Sequence, residues 1–386
     1  MELELKNLYD DFRNANTIKA YAKIIREDAL KLPHPINIME VCGGHTHTIM
    51  KYGILQLLPE NIKFVHGPGC PVCIMPKERI DHAYVLAMQR DVILVTLGDM
   101  IKVPGSNGSL QDARSRGADV RFVYSPLDCL KIAHENPQKK VIFFAIGFET
   151  TTPMTAALLD TVAKQNKVNG EAREGALGYI KNIFFHINHV TVPEAMAALI
   201  SDKECNIDAF LGPAHVSVIS GSKIYEEFPQ DFNKPVVVSG FEPVDVMQSI
   251  SMLVKQFAEG RCALEVEYKR AVTRDGNLKA QALIEKYFEK AQNFRWRGLG
   301  DIPQSGLKLR AEFDGYNAEV IYKNILPHEP IDDHKLCICG DILKGKANPP
   351  ECKIFGTACK PTSPIGSCMV SSEGACAAYY KYGNLL

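Results

Sequence analysis

Excess charge is the first thing this chain does not have. Its 44 lysines and arginines face 45 aspartates and glutamates, for a net charge of −1 over 386 residues. That balance gives no electrostatic reason to expect nucleic acid or an anionic membrane surface as a partner. Long apolar runs are missing too. The densest, residues 141–148, falls far short of the roughly 20 residues that span a bilayer. The opening stretch, MELELKNLYDDF, is mixed in charge and has no apolar signal core. The expected location is therefore the cytoplasm, where thiols stay reduced unless they are catalytic. No segment is of low complexity. No Walker sequence and no Gly-x-Gly-x-x-Gly follows a strand-like run, so nucleotide binding is not expected.

What is present is ordinary globular composition with an unusual supply of sulfur. Hydrophobic residues make up 46% of the chain, enough for two or three packed domains at this length. Apolar positions at helical spacing (Leu5, Leu8, Phe12, then Ile18, Tyr21, Ile24, Ile25) predict helix within residues 2–31, stopped by Leu32-Pro33-His34-Pro35. Strand-length apolar runs follow at residues 36–41, 62–65, 92–97, 120–124, 141–146, 182–187, 209–211 and 236–238. Several are apolar throughout, as strands buried on both faces should be. Helical stretches at 77–89, 155–165 and 192–199 separate them, and this alternation predicts parallel α/β layers. Phe144-Ala145-Ile146-Gly147-Phe148-Glu149 echoes Val237-Val238-Ser239-Gly240-Phe241-Glu242, and Gly67-Pro68 echoes Gly212-Pro213. Two similar α/β halves are expected, divided near Asn136-Pro137. The competing explanation is that strand ends often carry glycine. After Gly260 the composition shifts, to a short strand and a charged helix, and then to a glycine- and proline-rich stretch holding the only tryptophan, Trp296.

Three strand ends carry chemistry. Cys42-Gly43-Gly44-His45-Thr46-His47 follows the first run, at the edge where α/β sheets bind ligands. A thiol and two imidazoles suit a transition metal or a Cys–base pair, and the plain alternative is a buried cysteine beside turn histidines. His66-Gly67-Pro68-Gly69-Cys70-Pro71-Val72-Cys73 follows the second. Its Cys-x-x-Cys suits a reversible disulfide, half a zinc site or inert thiols. A helix starting near Pro71 would favour a Cys70 thiolate. Gly147-Phe148-Glu149-Thr150-Thr151-Thr152-Pro153 sets three hydroxyls beside a carboxylate, to bind a polar ligand, polarise a thiol or simply cap a helix. His186, His189 and His215 also lie near strand ends, and each alone reads as a satisfied core histidine. Cys129, Cys205 and Cys262 have no motif around them and read as core or surface thiols.

Six of the twelve cysteines crowd the end of the chain: Cys337, Cys339, Cys352, Cys359, Cys368 and Cys376. Proline and glycine punctuate the run, which excludes long helix or central strand. Zinc, an iron–sulfur cluster and disulfides are the three ways to hold such a segment. Close Cys-x-x-Cys pairs and interspersed histidines, the usual zinc pattern, are absent here. A [4Fe–4S] cluster takes four thiolates at irregular spacing. Spacing alone does not choose four ligands from six.

Together these motifs resemble the HypD family of hydrogenase-maturation proteins. The resemblance rests on Glu40-Val41-Cys42-Gly43-Gly44-His45-Thr46-His47, on Gly67-Pro68-Gly69-Cys70-Pro71-Val72-Cys73, on Gly147-Phe148-Glu149-Thr150-Thr151-Thr152-Pro153, and on Ser371-Ser372-Glu373-Gly374-Ala375-Cys376-Ala377-Ala378-Tyr379-Tyr380. It spans nearly the whole chain. It implies two similar parallel-sheet α/β domains, residues 1–137 and 138–262, plus a loop- and helix-rich iron–sulfur domain, 263–386. It implies a redox-active scaffold that works with HypC to assemble the iron carrying cyanide and carbon monoxide for [NiFe]-hydrogenase. HypE delivers the cyanide, from a thiocyanate, in a transient complex. Carried onto this sequence, Cys42 holds that iron and His45 assists. Cys70 and Cys73 are a redox pair, and Glu149 a further catalytic candidate. Cys337, Cys352, Cys359 and Cys376, with 14, 6 and 16 residues between them, hold a [4Fe–4S] cluster. Cys339 and Cys368 form the leftover pair, an arrangement similar to ferredoxin–thioredoxin reductase, and a stand-alone thiol–disulfide reductase is the alternative function. A relay of this kind requires the three cysteine segments to meet in one cleft.

Overall fold

A computed structural model describes residues 10–166, 180–202 and 206–383. Leu5, Leu8 and Cys205 lie outside the described residues. Helix α1 (Ala15–Ala29) is capped by Asn14, whose side chain accepts from the Asn16 and Thr17 amides. It is followed by β1 (Ile36–Glu40), α2 (Gly43–Lys51), β2 (Ile62–His66), α3 (Lys77–Ala87), β3 (Val92–Leu97), β4 (Asp119–Val123), β5 (Lys140–Gly147), α4 (Thr152–Asn166), β6 (Ile183–His189), α5 (Val192–Ser201), β7 (Ala209–Pro213), α6 (Ala214–Ser220), β8 (Val236–Ser239), α7 (Pro243–Ala258) and β9 (Leu264–Val266). Two small antiparallel ribbons come next, one pairing residues 288–290 with 307–309 and the other 293–296 with 300–303. The cysteine-rich end is mostly turn, closed by α8 (Ala375–Tyr382). Among the described residues no helix is long and apolar enough to cross a membrane.

The strands form two parallel sheets, of order β2-β1-β7-β8-β9 and β4-β3-β5-β6. Numbered by appearance, the first four strands of the first sheet and all four of the second read 2-1-3-4. The expected α/β class and the likeness of two halves are both there. The halves are not divided at Asn136-Pro137, however. That dipeptide lies between β4 and β5, two strands of one sheet, and Asn136 is the end of the helix Asp128–Glu135. A proline after a helix end marks a turn as readily as a domain boundary. The second sheet is instead an insertion, residues 92–189, between β2 and β7 of the first. The sequence echoes do not follow this symmetry. Phe144–Glu149 ends the third strand of its sheet and Val237–Glu242 the fourth of the other, while Gly67-Pro68 and Gly212-Pro213 sit in the same sheet. They are strand-end glycines, as the competing explanation held.

Burial follows the pleat. In β5, Val141, Phe143 and Ala145 face the core beneath α4, and Ile142, Phe144 and Ile146 face a second core. That second core is shared by both sheets and the chain's end. Met39, Phe144, Phe210 and Trp296 belong to it together with Cys73, Cys339 and Cys368. The outer face of the first sheet is covered by α7 and by α1, which packs on α7 and buries Ala22, Ile25 and Ala29. At the far end of the chain, α8 packs on α2. His66 meets Tyr379 edge-on at 5.5 Å, and His47 meets Tyr382 at 5.4 Å. The last helix is thereby returned to the carboxyl edge of β1 and β2.

That edge leaves no spare volume. Gly43 donates its amide to the Gly69 carbonyl at 3.0 Å, and a Cβ on Gly69 would overlap the Cys42 backbone. Gly69→Ala is expected to lower unfolding stability by about 2 kcal/mol or more, because backbone cannot move aside as a side chain can. Gly98→Ala, which meets no atom within 4 Å, should stay within about 0.5 kcal/mol of the parent. Urea unfolding of both variants checks this, and equal midpoints would refute the close contact.

Candidate functional site

Parallel register lines up the ends of β1, β2, β7 and β8, with Glu40 beside His66 and Leu211, and Pro213 beside Ser239. Each candidate group of the first sheet leaves one of these ends. Glu40 is fully buried and ties three of them together. One oxygen accepts from His66 Nδ1 at 2.7 Å and from the Thr46 hydroxyl, and the other from the Cys42 amide at 3.1 Å. Burial raises its pKa, and these donors pull it back down.

Cys42 is the residue before α2, in extended conformation, with its thiol buried. Burial, then the charges of Glu373 and Glu40, push that thiol well above its ordinary pKa. His215, one residue into α6, brings Nε2 to 3.7 Å and Nδ1 to 4.0 Å of the sulfur. His45 points elsewhere. Its Nε2 donates to the Gly240 carbonyl at 2.9 Å, with Ser239 O at 3.3 Å. Both imidazoles lie flat on Phe241, His45 at 4.6 Å between ring centres and His215 at 4.8 Å. Burial lowers the pKa of His45 to about 3 and that of His215 to about 4, so both rings are neutral near pH 7.

The second motif lies against the first through Gly69. No helix begins at Pro71. Residues 71–74 are a turn closed by bonds from the Cys73 and Ile74 amides to Cys70 O, and helix α3 starts only at Lys77. A helix dipole therefore does not act on Cys70. Cys73 is buried, and its thiol is pushed well above the ordinary range by that burial. It shares one buried cluster with Cys70 and Cys368. Ser367 donates its hydroxyl to the Cys73 carbonyl. Cys368 and Cys339 sulfurs stand 2.6 Å apart, and Cys337 packs against the same cluster. The second motif and the end of the chain thus share one core, and Gly69 joins the Cys42 turn to its edge.

All six C-terminal cysteines line one small pocket, walled otherwise by Ile338, Ile342, Ile354, Phe355, Gly366 and Met369. Within it Cys376 is raised first by burial and then by Cys337, Cys359 and Cys352. Several cysteine sulfurs in an apolar pocket are a donor set that fits a metal centre. The sequence candidates for a cluster, Cys337, Cys352, Cys359 and Cys376, are four of the six lining cysteines. Cys339 and Cys368 lie deeper, against Cys73. Of the cysteines without a motif, Cys129 is buried in the second sheet's core and Cys262 is partly exposed near Pro229 O.

Glu149 enters from the second sheet, two residues past β5. Its Oε1 accepts from the Val192 amide at 2.9 Å, and its Oε2 is buried without a partner. Burial lifts its pKa to about 7. Tyr225, whose hydroxyl is also buried without a partner, feels the charges of both Glu149 and Cys42. His189 is a core histidine held by Thr155. His186 belongs to a buried chain in which Asn188 bonds His186, His186 bonds His82 at 3.0 Å, and His82 bonds Pro327 O, with Glu319 nearby on Arg79. Each ring there has both nitrogens satisfied, which is a structural arrangement.

Comparison with known proteins places the chain. The HypD family model, described as the hydrogenase formation hypA family, matches residues 16–383. The hydrogenase maturation factor HypD of Cupriavidus necator is 47% identical over 381 residues, 97% of this chain and 96% of that protein. HypD2 of Bradyrhizobium diazoefficiens matches equally, and HypD of Escherichia coli K12 is 44% identical over 377 residues, 97% of each chain. The chain belongs to the HypD family.

Two residues at this HypD-family cleft escape a reading of the sequence. Glu40 passes as part of a strand, and its signal is a lone acid closing an apolar run. His215 reads as a core histidine, yet it follows Gly212-Pro213 at a strand end, as Cys70 follows Gly67-Pro68. Glu149 generates a prediction. The folded protein binds its proton more tightly than the unfolded chain does, so that contribution to stability is complete below the ordinary carboxylate pKa of 4.5 and is lost as pH rises through about 7. Glu149→Gln has no such loss. In urea melts the variant should gain on the parent between pH 4.5 and 8, by on the order of 3 kcal/mol. A gap that does not change with pH would show that Glu149 ionises as freely as a surface carboxylate.

Proposed function

We propose that this protein is a hydrogenase maturation factor of the cytoplasm that holds iron at Cys42 while its ligands are attached. In this reading it acts in a stable complex with HypC and a transient one with HypE. The carrying observation is that Cys70, Cys73, Cys339 and Cys368 share one buried cluster, with the Cys339 and Cys368 sulfurs in contact, while Gly69 packs on the Cys42 backbone and all six C-terminal cysteines line one pocket.

The chemistry follows from what cyanide delivery requires. A thiocyanate, R–S–CN, releases cyanide when a thiolate of the Cys70/Cys73 pair attacks the carrier sulfur. The S–C bond breaks, and cyanide leaves with the bonding electrons toward iron at Cys42. A mixed disulfide R–S–S–Cys remains, and the second cysteine resolves it. The products are a Cys70–Cys73 disulfide, the carrier thiol and one proton released to solvent, so the two electrons come from the dithiol. Cys368, which shares a buried cluster with Cys73, would then attack that disulfide, and Cys339 would resolve the exchange. Cys337, Cys352, Cys359 and Cys376 would hold a [4Fe–4S] cluster beside this last pair, which when bound supplies electrons singly. Burial keeps the Cys73 thiol protonated at rest, so exchange waits for a base or for entry of the carrier. In this reading Glu149 serves as a proton-handling group and neutral His45 as a positioning group. The Cys339–Cys368 contact alone would also suit a stand-alone thiol–disulfide reductase of the ferredoxin–thioredoxin reductase type, but that activity has no use for Cys42.

Replacement separates the parts. Cys42→Ala should keep the fold and the brown cluster absorbance after purification without oxygen. It should lose both the additional iron and hydrogenase maturation, measured as hydrogenase activity in cells whose own copy is deleted. Cys337→Ala should lose the brown colour. Normal maturation by Cys42→Ala would remove Cys42 from the mechanism, and a colourless parent protein carrying stoichiometric zinc would overturn the cluster.

A further inference from the structure

Three cysteines of the C-terminal pocket have a lysine close by in the chain. Lys335 comes two residues before Cys337, Lys353 directly after Cys352, and Lys360 directly after Cys359. Because these cysteines line one pocket, the three lysines start from backbone grouped around it. Lys335 and Lys353 are exposed and Lys360 partly so. Among the described residues none of the three is held by an ion pair or a side-chain hydrogen bond. Lys344 and Lys346, by contrast, reach Asp202 at 3.4 and 3.8 Å. From Lys335 to Lys381 the chain carries six lysines and three carboxylates, whereas the whole chain is one charge negative, so positive charge is concentrated here. Two of those carboxylates are engaged elsewhere. Glu351 accepts from the Asn348 amide at 2.7 Å, and Glu373 packs on Gly43. Asp341 is exposed. Apolar groups lie among the lysines. The Leu336 side chain is half exposed, and its carbonyl accepts from the Cys352 thiol at 3.6 Å. Phe355 lines the pocket and meets Tyr380, 43% exposed, edge-on at 6.3 Å. Cys337 and Cys376 are themselves only partly buried, so the pocket lies close to this surface.

We propose that the face bearing Lys335, Lys353 and Lys360 docks a small acidic protein that carries single electrons, and that electrons enter the molecule there. This rests on the reading of the pocket as an iron–sulfur site. Reducing a Cys339–Cys368 disulfide to two thiols takes two electrons and two protons. Two encounters with a one-electron carrier supply the electrons, and solvent supplies the protons. Each spent carrier must leave before the next arrives, so the contact has to be quick and weak. A small apolar patch rimmed by hydrated, unpaired charges has that character. Rim charges speed the encounter and choose the partner's sign while adding little lasting affinity. Free ammonium groups fit a partner's carboxylates without first breaking ion pairs of their own.

The probe is an acidic plant-type [2Fe–2S] ferredoxin, added without oxygen to the full-length, cluster-loaded chain. Two face variants replace Lys335, Lys353 and Lys360 together, one by Glu and one by Gln. A control of the same net charge as the Glu variant carries Lys19→Glu, Lys23→Glu and Lys279→Glu, on other exposed surfaces. Calorimetry reads binding of the oxidised ferredoxin, and stopped-flow absorbance reads electron transfer from the reduced one. At about 0.01 M salt, where the screening length is ~30 Å, the Glu face variant should bind roughly tenfold or more weakly than the parent. Its reduction should slow in step, the Gln variant should fall between, and the control should match the parent. At about 1 M salt, with screening at ~3 Å, the differences should vanish. Dithionite, which needs no docking, should reduce the cluster fully in every protein. Equal ferredoxin binding by the face variants and the control overturns the proposal. Incomplete reduction by dithionite in both face variants assigns the lysines to the cluster's own charge balance and overturns it too. So does a parent that dimerises at low salt through these lysines, which would give the face to a second copy. A colourless parent overturns the iron–sulfur reading instead, and its ferredoxin binding still reports on the face.

Discussion

The buried carboxylate of Glu40 is the constraint on which the cleft depends. A carboxylate removed from water is costly unless its oxygens are paired, and here three separate donors do that work. Each donor belongs to a different piece of the edge: the Cys42 amide sets the strand-to-helix turn, Thr46 the first turn of α2, and His66 the end of β2. Withdrawing any one leaves charge uncompensated, so the three pieces hold their positions as a unit. Cys42 is held at the lip of the sheet by this unit. The α2 amides of Gly44 and His45 also approach its sulfur and moderate the effect of burial on the thiol.

Burial governs the thiols as strongly as contact does. The Cys339 and Cys368 sulfurs are close enough for exchange, yet Cys42, Cys73, Cys339 and Cys368 are almost wholly removed from solvent. A thiolate in such surroundings is disfavoured, and exchange needs one. Proximity and protonation therefore oppose each other. In the proposed relay, burial would hold these thiols in their unreactive form and so protect a reducing equivalent from discharge into water. What releases it must bring charge compensation into the core or carry a proton out. Glu149 is suited to the second task, since a carboxyl with a pKa of about 7 exchanges protons near neutrality and one of its oxygens has no other partner.

How much of this was legible depended on range. Strands β1 to β8 were marked by local apolar runs, and the Cys70–Cys73 and Cys42 motifs by local spacing, because both signals are written in neighbouring residues. The division into sheets was not, because nothing near residue 92 says that the chain is leaving the first sheet and will return at 209. Pairing between β1 and β7 is a contact across about 170 residues, and such contacts are decided by the sum of packing rather than by any local pattern. The helix imagined at Pro71 failed for a local reason, since a proline after a cysteine is as compatible with a turn as with a helix start. His215 was passed over because a single histidine at a strand end carries no information until its neighbours in space are known. His45, credited from its motif, turned out to spend its nitrogen on backbone carbonyls.

The insertion topology also explains why the chemistry sits where it does. Two sheets of like strand order, one set within the other, bring two carboxyl edges into a single molecule, and ligands of α/β proteins gather at such edges. Here the first sheet contributes Cys42, Cys70 and His215, and the second contributes Glu149. Neither edge is complete without the chain's last fifty residues, whose Cys368 reaches Cys73 and whose α8 packs on α2. That segment has little regular structure, so the contacts that fix it are the shared core, a smaller apolar cluster of its own and the pocket lined by its six cysteines. Filling that cavity with a metal centre would draw residues 337 to 376 together and, through Ser367 and Cys368, seat the Cys70–Cys73 turn. In the proposed mechanism the cofactor site and the substrate site would then be coupled mechanically as well as by electrons, because the group that stores the reducing equivalent would also hold in place the thiols that spend it.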